Sequence, residues 1–222
     1  MISDVENKEL AYGPKNSSKQ DIKLNKLKDI SISFDNLKYA VITGVDEPNI
    51  NLKVFTDLNE DIKKVANIKI SESKTLDISI SHKKAKKTPD SHLYLRLCLP
   101  YKFLGDLELE GKVEDLTLYH CMHSHTEFGG DVNKIMLFDL KGAAEIDSNS
   151  HMEIIYDGSL TQLDINQINS SSNLILAKGS DTYIYASGKE CDIVLIGCVN
   201  NPNSQHRIEL NGKKSHLIAR NE

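Results

Sequence analysis

Histidine and cysteine crowd one short stretch of this chain, His120-Cys121-Met122-His123-Ser124-His125. If the stretch is a strand, side chains alternate between its faces. Cys121, His123 and His125 then project together, with Glu127 on the same beat. Two imidazoles two residues apart can bind one Zn²⁺ or Fe²⁺, with a thiolate or carboxylate completing the set. His151 would stack nearby if the chain winds in coils of about 20 residues. The competing reading is a solvated turn at a strand end, where histidines need no ligand. No resident cofactor is expected otherwise.

A second concentration of chemistry is Lys83-Lys84-Ala85-Lys86-Lys87. Lys83, Lys84, Lys86 and Lys87 form a local positive field suited to a phosphate or an acidic polymer. Placed between two strands, they equally suit a solvated loop that discourages edge pairing. Glu108, Glu110, Asp115, Asp139 and Asp147 could pair across coils for acid–base work on a carbohydrate. In a chain with 32 acidic residues such pairs arise readily. Tyr183, Tyr185 and Ala186 would present two rings on one strand face. The chain carries no P-loop, dinucleotide fingerprint or nucleophile elbow.

Bulk properties narrow the partners. The net charge of −5 argues against long-range attraction to nucleic acid or an anionic membrane. Tryptophan is absent and aromatics make up 6%, which speaks against a carbohydrate-stacking platform. Four cysteines without a C-x-x-C spacing read as reduced, half-buried thiols. Residues 1–20 show no apolar signal core, and Ile193–Val199 is far shorter than the ~20 residues of a membrane span. The expected location is cytoplasmic for the sequence as it stands, or the cell surface if a leader has been removed.

The elements that must position these residues are short strands. From His92 to Cys121, Leu93, Leu95, Leu97 and Leu99 alternate with Tyr94, Arg96 and Cys98, and Leu107/Leu109 and Leu116/Leu118 continue the two-residue beat. That periodicity marks strands with one buried face. Three segments follow: a loose polar tail at 1–20, an N-terminal β-meander at 21–88, and regular strand repeats at 90–222. Asp57–Ala66 breaks the beat with Leu58, Ile62 and Val65 at helical spacing, which predicts one short helix over 57–66. Gly142, Gly158, Gly179 and Gly197 follow one another at 16, 21 and 18 residues. An imperfect period near 20 predicts an all-β solenoid of stacked coils. The alternative is an antiparallel β-sandwich, for which Asp157-Gly158 and Asn211-Gly212 would be hairpin turns.

From about Leu27 onward the chain resembles the bacterial DUF4097-type β-strand repeat family, an uncharacterised adhesin-like group. The resemblance rests on the opening strand KDISISFD, on Leu76-Asp77-Ile78-Ser79-Ile80, on Leu97-Cys98-Leu99-Pro100 before a loop, and on tandem glycine-closed units to the end. It departs where the family's Ser-Gly-x-Ile tandem is reduced to Ala186-Ser187-Gly188, and where Cys121–Gly130 is rich in histidine. The resemblance implies a right-handed single-stranded β-helix without recognised catalytic residues. The resulting expectation is a non-catalytic structural or protein-interaction solenoid whose partner is another protein or a second copy. Its rival is a metal-binding or carbohydrate-active β protein using His123 and His125.

Overall fold

The computed structural model describes residues 16–24, 27–83 and 92–222. Alternating apolar side chains fold these residues into one open, mixed 16-stranded sheet system. The strands are β1 (Ser17–Lys23), β2 (Asp29–Val45), β3 (Asn49–Thr56), β4 (Ala66–Glu72), β5 (Thr75–His82), β6 (Leu93–Pro100), β7 (Asp106–Tyr119) and β8 (His125–Phe138). They continue with β9 (Ala143–Asp147), β10 (Met152–Tyr156), β11 (Gln162–Ile168), β12 (Ser171–Leu176), β13 (Tyr183–Ala186), β14 (Asp192–Ile196), β15 (Arg207–Lys213) and β16 (His216–Asn221).

The single α-helical turn among the described residues, α1 (Ile62–Val65), is shorter than the helix expected over 57–66. Its cap is Asp61, whose side chain accepts from the Lys63 N–H, rather than Asp57. Only Ile62 and Val65 are buried by it, so tertiary packing supports one turn and no more. Strand β1 begins at Ser17, inside the segment read as a loose tail, and pairs antiparallel with β3 from Ser17↔Phe55 to Lys23↔Asn49.

From β7 onward the pairing is parallel and repetitive. Asp106 lies opposite His125, His125 opposite Ala143, and Ala143 opposite Gln162, steps of 19, 18 and 19 residues. Each tier contributes two strand segments, one to each of two adjoining sheets. The bend between them falls inside β7 and β8 at Gly111 and Gly130, with φ of 140° and 139°. A side chain does not fit there: a Cβ on Gly130 would sit 1.9 Å from the Gly111 carbonyl oxygen, and one on Gly111 would sit 1.8 Å from that of Phe34. These glycines turn a corner within a strand rather than closing it.

Strand β2 joins the N-terminal part to this stack. Its first half pairs parallel with β5 and β7, and its second half with β6 and β7. The described residues between 21 and 83 therefore share a sheet with the later repeats. They are not a continuous meander: β4 and β5 pair antiparallel as consecutive strands, but β2 and β3 do not pair with each other.

The far end departs from chain order. After β11/β12 the next tier in space is β15/β16, with Gln162 opposite Arg207 and Ser171 opposite His216. The pair β13/β14 lies outside it, with Tyr183 opposite Arg207 and Asp192 opposite His216. The last segment of the chain is thus intercalated, and residues 183–196 form the outermost tier. Between the sheets runs one apolar core in which like stacks on like, as in Leu109, Phe128, Ile146, Ile165 and Leu210. Each such buried side chain contributes about 1.5–3 kcal/mol.

Candidate interaction faces

The histidine-rich stretch does not form a strand face. Residues 120–124 make the turn between β7 and β8, and His120 adopts a left-handed φ of 59°, which ends the alternation. Cys121 is buried; its thiol donates to the Tyr119 carbonyl at 3.4 Å, and burial pushes its pKa up to about 12. His123 points into the core at 3% exposure beside Thr126, its hydrogen-bond partner, and burial lowers its pKa to about 4. His125 and Glu127 are outward positions of β8, while His151 lies at a later corner with Nδ1 2.6 Å from the Ser171 carbonyl oxygen. The five residues are not brought together, and among the described residues no three His, Cys, Asp or Glu side chains converge to hold a metal.

Lys83 does meet other cations. With Lys63 and Lys69 it lines a cleft of about 420 Å³ between β1 and β4, and its ammonium donates to the Lys63 carbonyl at 2.5 Å. Lys84, Lys86 and Lys87 lie outside the described residues.

The parallel register assembles something that sequence order conceals. On the outer face of the first sheet, Glu108 lies opposite Glu127, Glu127 opposite Glu145, Glu145 opposite Asp164, and Asp164 opposite Glu209. Five carboxylates therefore stack on neighbouring strands, one about every 4.8 Å. Glu110 and Asp147 flank this column on one side and Asp106 on the other, where Arg207 and His125 are the cationic types. Among the described residues no lysine, arginine or histidine forms an ion pair with any of the five.

Neutral donors soften the far end of the column. Tyr185 donates to Glu209 at 2.7 Å, Asn166 to Glu145 at 2.6 Å and Gln162 to Asp164 at 2.5 Å. Tyr183 and Tyr185 stack with ring centroids 5.1 Å apart and close that face at the outermost tier. Near the start of the column, partial burial raises the Glu127 pKa, and the charges of Glu145, Asp147 and Glu108 push it the same way. A shallow groove of about 560 Å³ runs beside Glu108, Glu110, Glu127 and Asp131. It exists because Gly129 carries no side chain and leaves open space at its own position.

The outer face of the second sheet follows the opposite logic. Asp115 lies opposite Lys134 and Lys134 opposite Glu153, so charge alternates along the column, and Lys134 reaches Glu153 at 2.8 Å. The next column is apolar, running from Thr117 through Met136 and Ile155 to Ile175. Of the carboxylates singled out from sequence, Glu108, Glu110 and Asp147 share the first face, whereas Asp115 belongs to the second and Asp139 to a turn at φ 49°.

No family model matches the chain, and no curated protein matches it. Among solved structures it is similar to a candidate cell adhesion protein from Clostridium sporogenes, at 12% identity over 93% of this chain and 99% of that one, with a TM-score of 0.44. A candidate adhesin from Bacteroides fragilis aligns at 14% identity over 94% and 98% of the two chains, TM-score 0.43. A candidate lipid-binding protein from Parabacteroides distasonis aligns at 13% identity over 94% and 97%, TM-score 0.34. No helix among the described residues is long and apolar enough to cross a membrane.

Proposed function

We propose that this protein is an adhesin-like, non-catalytic interaction module, a β-solenoid whose stacked tiers present an acidic docking face to a basic partner protein. The observation that carries this reading is the in-register column Glu108–Glu127–Glu145–Asp164–Glu209. Like charges directly opposite on neighbouring strands destabilise a sheet by a few tenths of a kcal/mol per contact. A stability-driven surface would interleave them with lysine, as the second sheet does at Asp115, Lys134 and Glu153. A partner that brings cations to the column recovers the repulsion as binding energy and gains electrostatic steering. The solenoid part of the reading is supported by the parallel 18- and 19-residue steps.

An immobilised lysine-rich polypeptide is a suitable probe. The wild-type protein is expected to be retained at low salt and released by added salt. The Glu108→Gln/Glu127→Gln/Glu145→Gln variant should bind at least tenfold more weakly, about 1.4 kcal/mol. Retention unchanged in that variant contradicts the reading.

A further inference from the structure

The two ends of the strand stack treat their free edges differently. At the N-terminal end, β1 and β4 each pair with one strand only among the described residues, and the edges they leave open there carry lysine: exposed Lys19 and Lys23 on β1, exposed Lys69 on β4. Edge lysines oppose further strand addition. At the other end β14 pairs, among the described residues, with β16 alone, and the run Cys191–Asn200 contains a single charge, Asp192, which is tied to His216. Val194 is 43% exposed, Leu195 38%, Ile196 55%, and Val199 in the following loop 72%. An apolar, unguarded edge lies over an open core end, where Ile193 and Leu195 continue the interior columns of Leu217 and Ala219 without a tier above them.

We propose that this end is the interface of a twofold homodimer, in which β14 pairs antiparallel with β14 of a second copy. The inference extends the solenoid reading and is independent of the acidic face. A second copy is the occupant because of what each candidate edge presents. Head-to-tail addition would set this apolar edge against Lys19, Lys23 or Lys69 of the next molecule. The same end of another copy offers an equally apolar edge without a lysine.

Twofold symmetry about an axis normal to the sheet requires facing residues to share a face, so a register centred on Val194 is allowed. Val194 then meets its own symmetry mate on the outer side, and Ile193 meets Leu195 on the inner side. The two Asp192 residues fall about 13 Å apart along the ladder, beyond a Debye length at physiological salt.

Analytical ultracentrifugation of the full chain should show a dimer. Ile196→Glu, which sets a carboxylate opposite Asp192 of the second copy in this register, should weaken it at least tenfold while leaving the circular dichroism spectrum unchanged, since that side chain is largely exposed. Val194→Cys, in a Cys191→Ser/Cys198→Ser background, should form an intermolecular disulfide under mild oxidation. A strict monomer up to about 100 µM overturns the proposal. So does a dimer that Ile196→Glu leaves intact and that Val194→Cys does not cross-link. Neither result bears on the lysine-polypeptide assay, because Ile196 and the acidic column belong to different sheets.

Discussion

Two columns of side chains run across the same stack of tiers, on the same pleated geometry, and distribute charge in opposite ways. Asp115, Lys134 and Glu153 alternate in sign and close an ion pair, while Glu108, Glu127, Glu145, Asp164 and Glu209 do not alternate. Both columns are outward-facing, so burial is not what separates them. A surface of stacked parallel strands can be made self-neutralising at no cost to its fold, since the core columns lie on the other side of each strand. The second sheet is built that way. The first sheet carries repulsion that its own fold does not use, which is what the proposed docking role of that face rests on.

The most disruptive way to break the comparison is to remove the corner that holds the two sheets in one stack. Gly130→Ala places a Cβ 1.9 Å from the Gly111 carbonyl oxygen at a φ of 139° that L-residues avoid. A loss of about 3 kcal/mol or more is expected in urea denaturation, from backbone strain and displacement of the β7–β8 pair. A variant of wild-type stability would show that the corner glycines are dispensable.

Nearly as large is the effect of pH, and here core and face oppose one another. His123 titrates at about 4 when folded against 6.5 when exposed, so the unfolded chain binds the extra proton between those values. Stability should therefore fall by roughly 3 kcal/mol as pH drops from 6.5 toward 4. Glu127 has the opposite sign: its folded pKa is raised, so the column costs stability at neutral pH and the cost is relieved on acidification. His123→Gln should flatten the loss and leave the smaller gain from the carboxylates visible. An unchanged pH profile in that variant would remove His123 from the explanation.

At the second face the expected effect is smallest. Lys134→Gln removes the cation between Asp115 and Glu153 and should cost about 0.5 kcal/mol, a half-exposed ion pair being worth little more. Burial already raises the Asp115 pKa more than Lys134 lowers it, so the loss should shrink further as Asp115 is protonated. A stabilising Lys134→Gln would erase the contrast between the two columns.

Strand alternation made the all-β class legible, because Leu93, Leu95 and Leu97, or Leu107 and Leu109, report a buried face without reference to neighbours. The acidic column was not legible. Glu108, Glu127, Glu145 and Asp164 lie 18 or 19 residues apart, and only the parallel register makes them adjacent. Counting back from a steady step near 19 was the available signal. The step from Asp164 to Glu209 had none, because β13/β14 and β15/β16 share one pattern of apolar and polar residues and either could follow β12. The histidine stretch was misplaced for a local reason. The left-handed backbone at His120 interrupts the alternation, sending His123 into the core and leaving His125 outside.

The central contrast is tested most directly by urea denaturation of Glu108→Gln/Glu127→Gln/Glu145→Gln against wild type at low ionic strength and neutral pH. Removing three adjacent like charges should stabilise the protein by about 1 kcal/mol, with the difference closing as salt is added. A variant less stable than wild type at low salt would mean that these carboxylates hold the fold together, and the first face would lose its claim to be a docking surface.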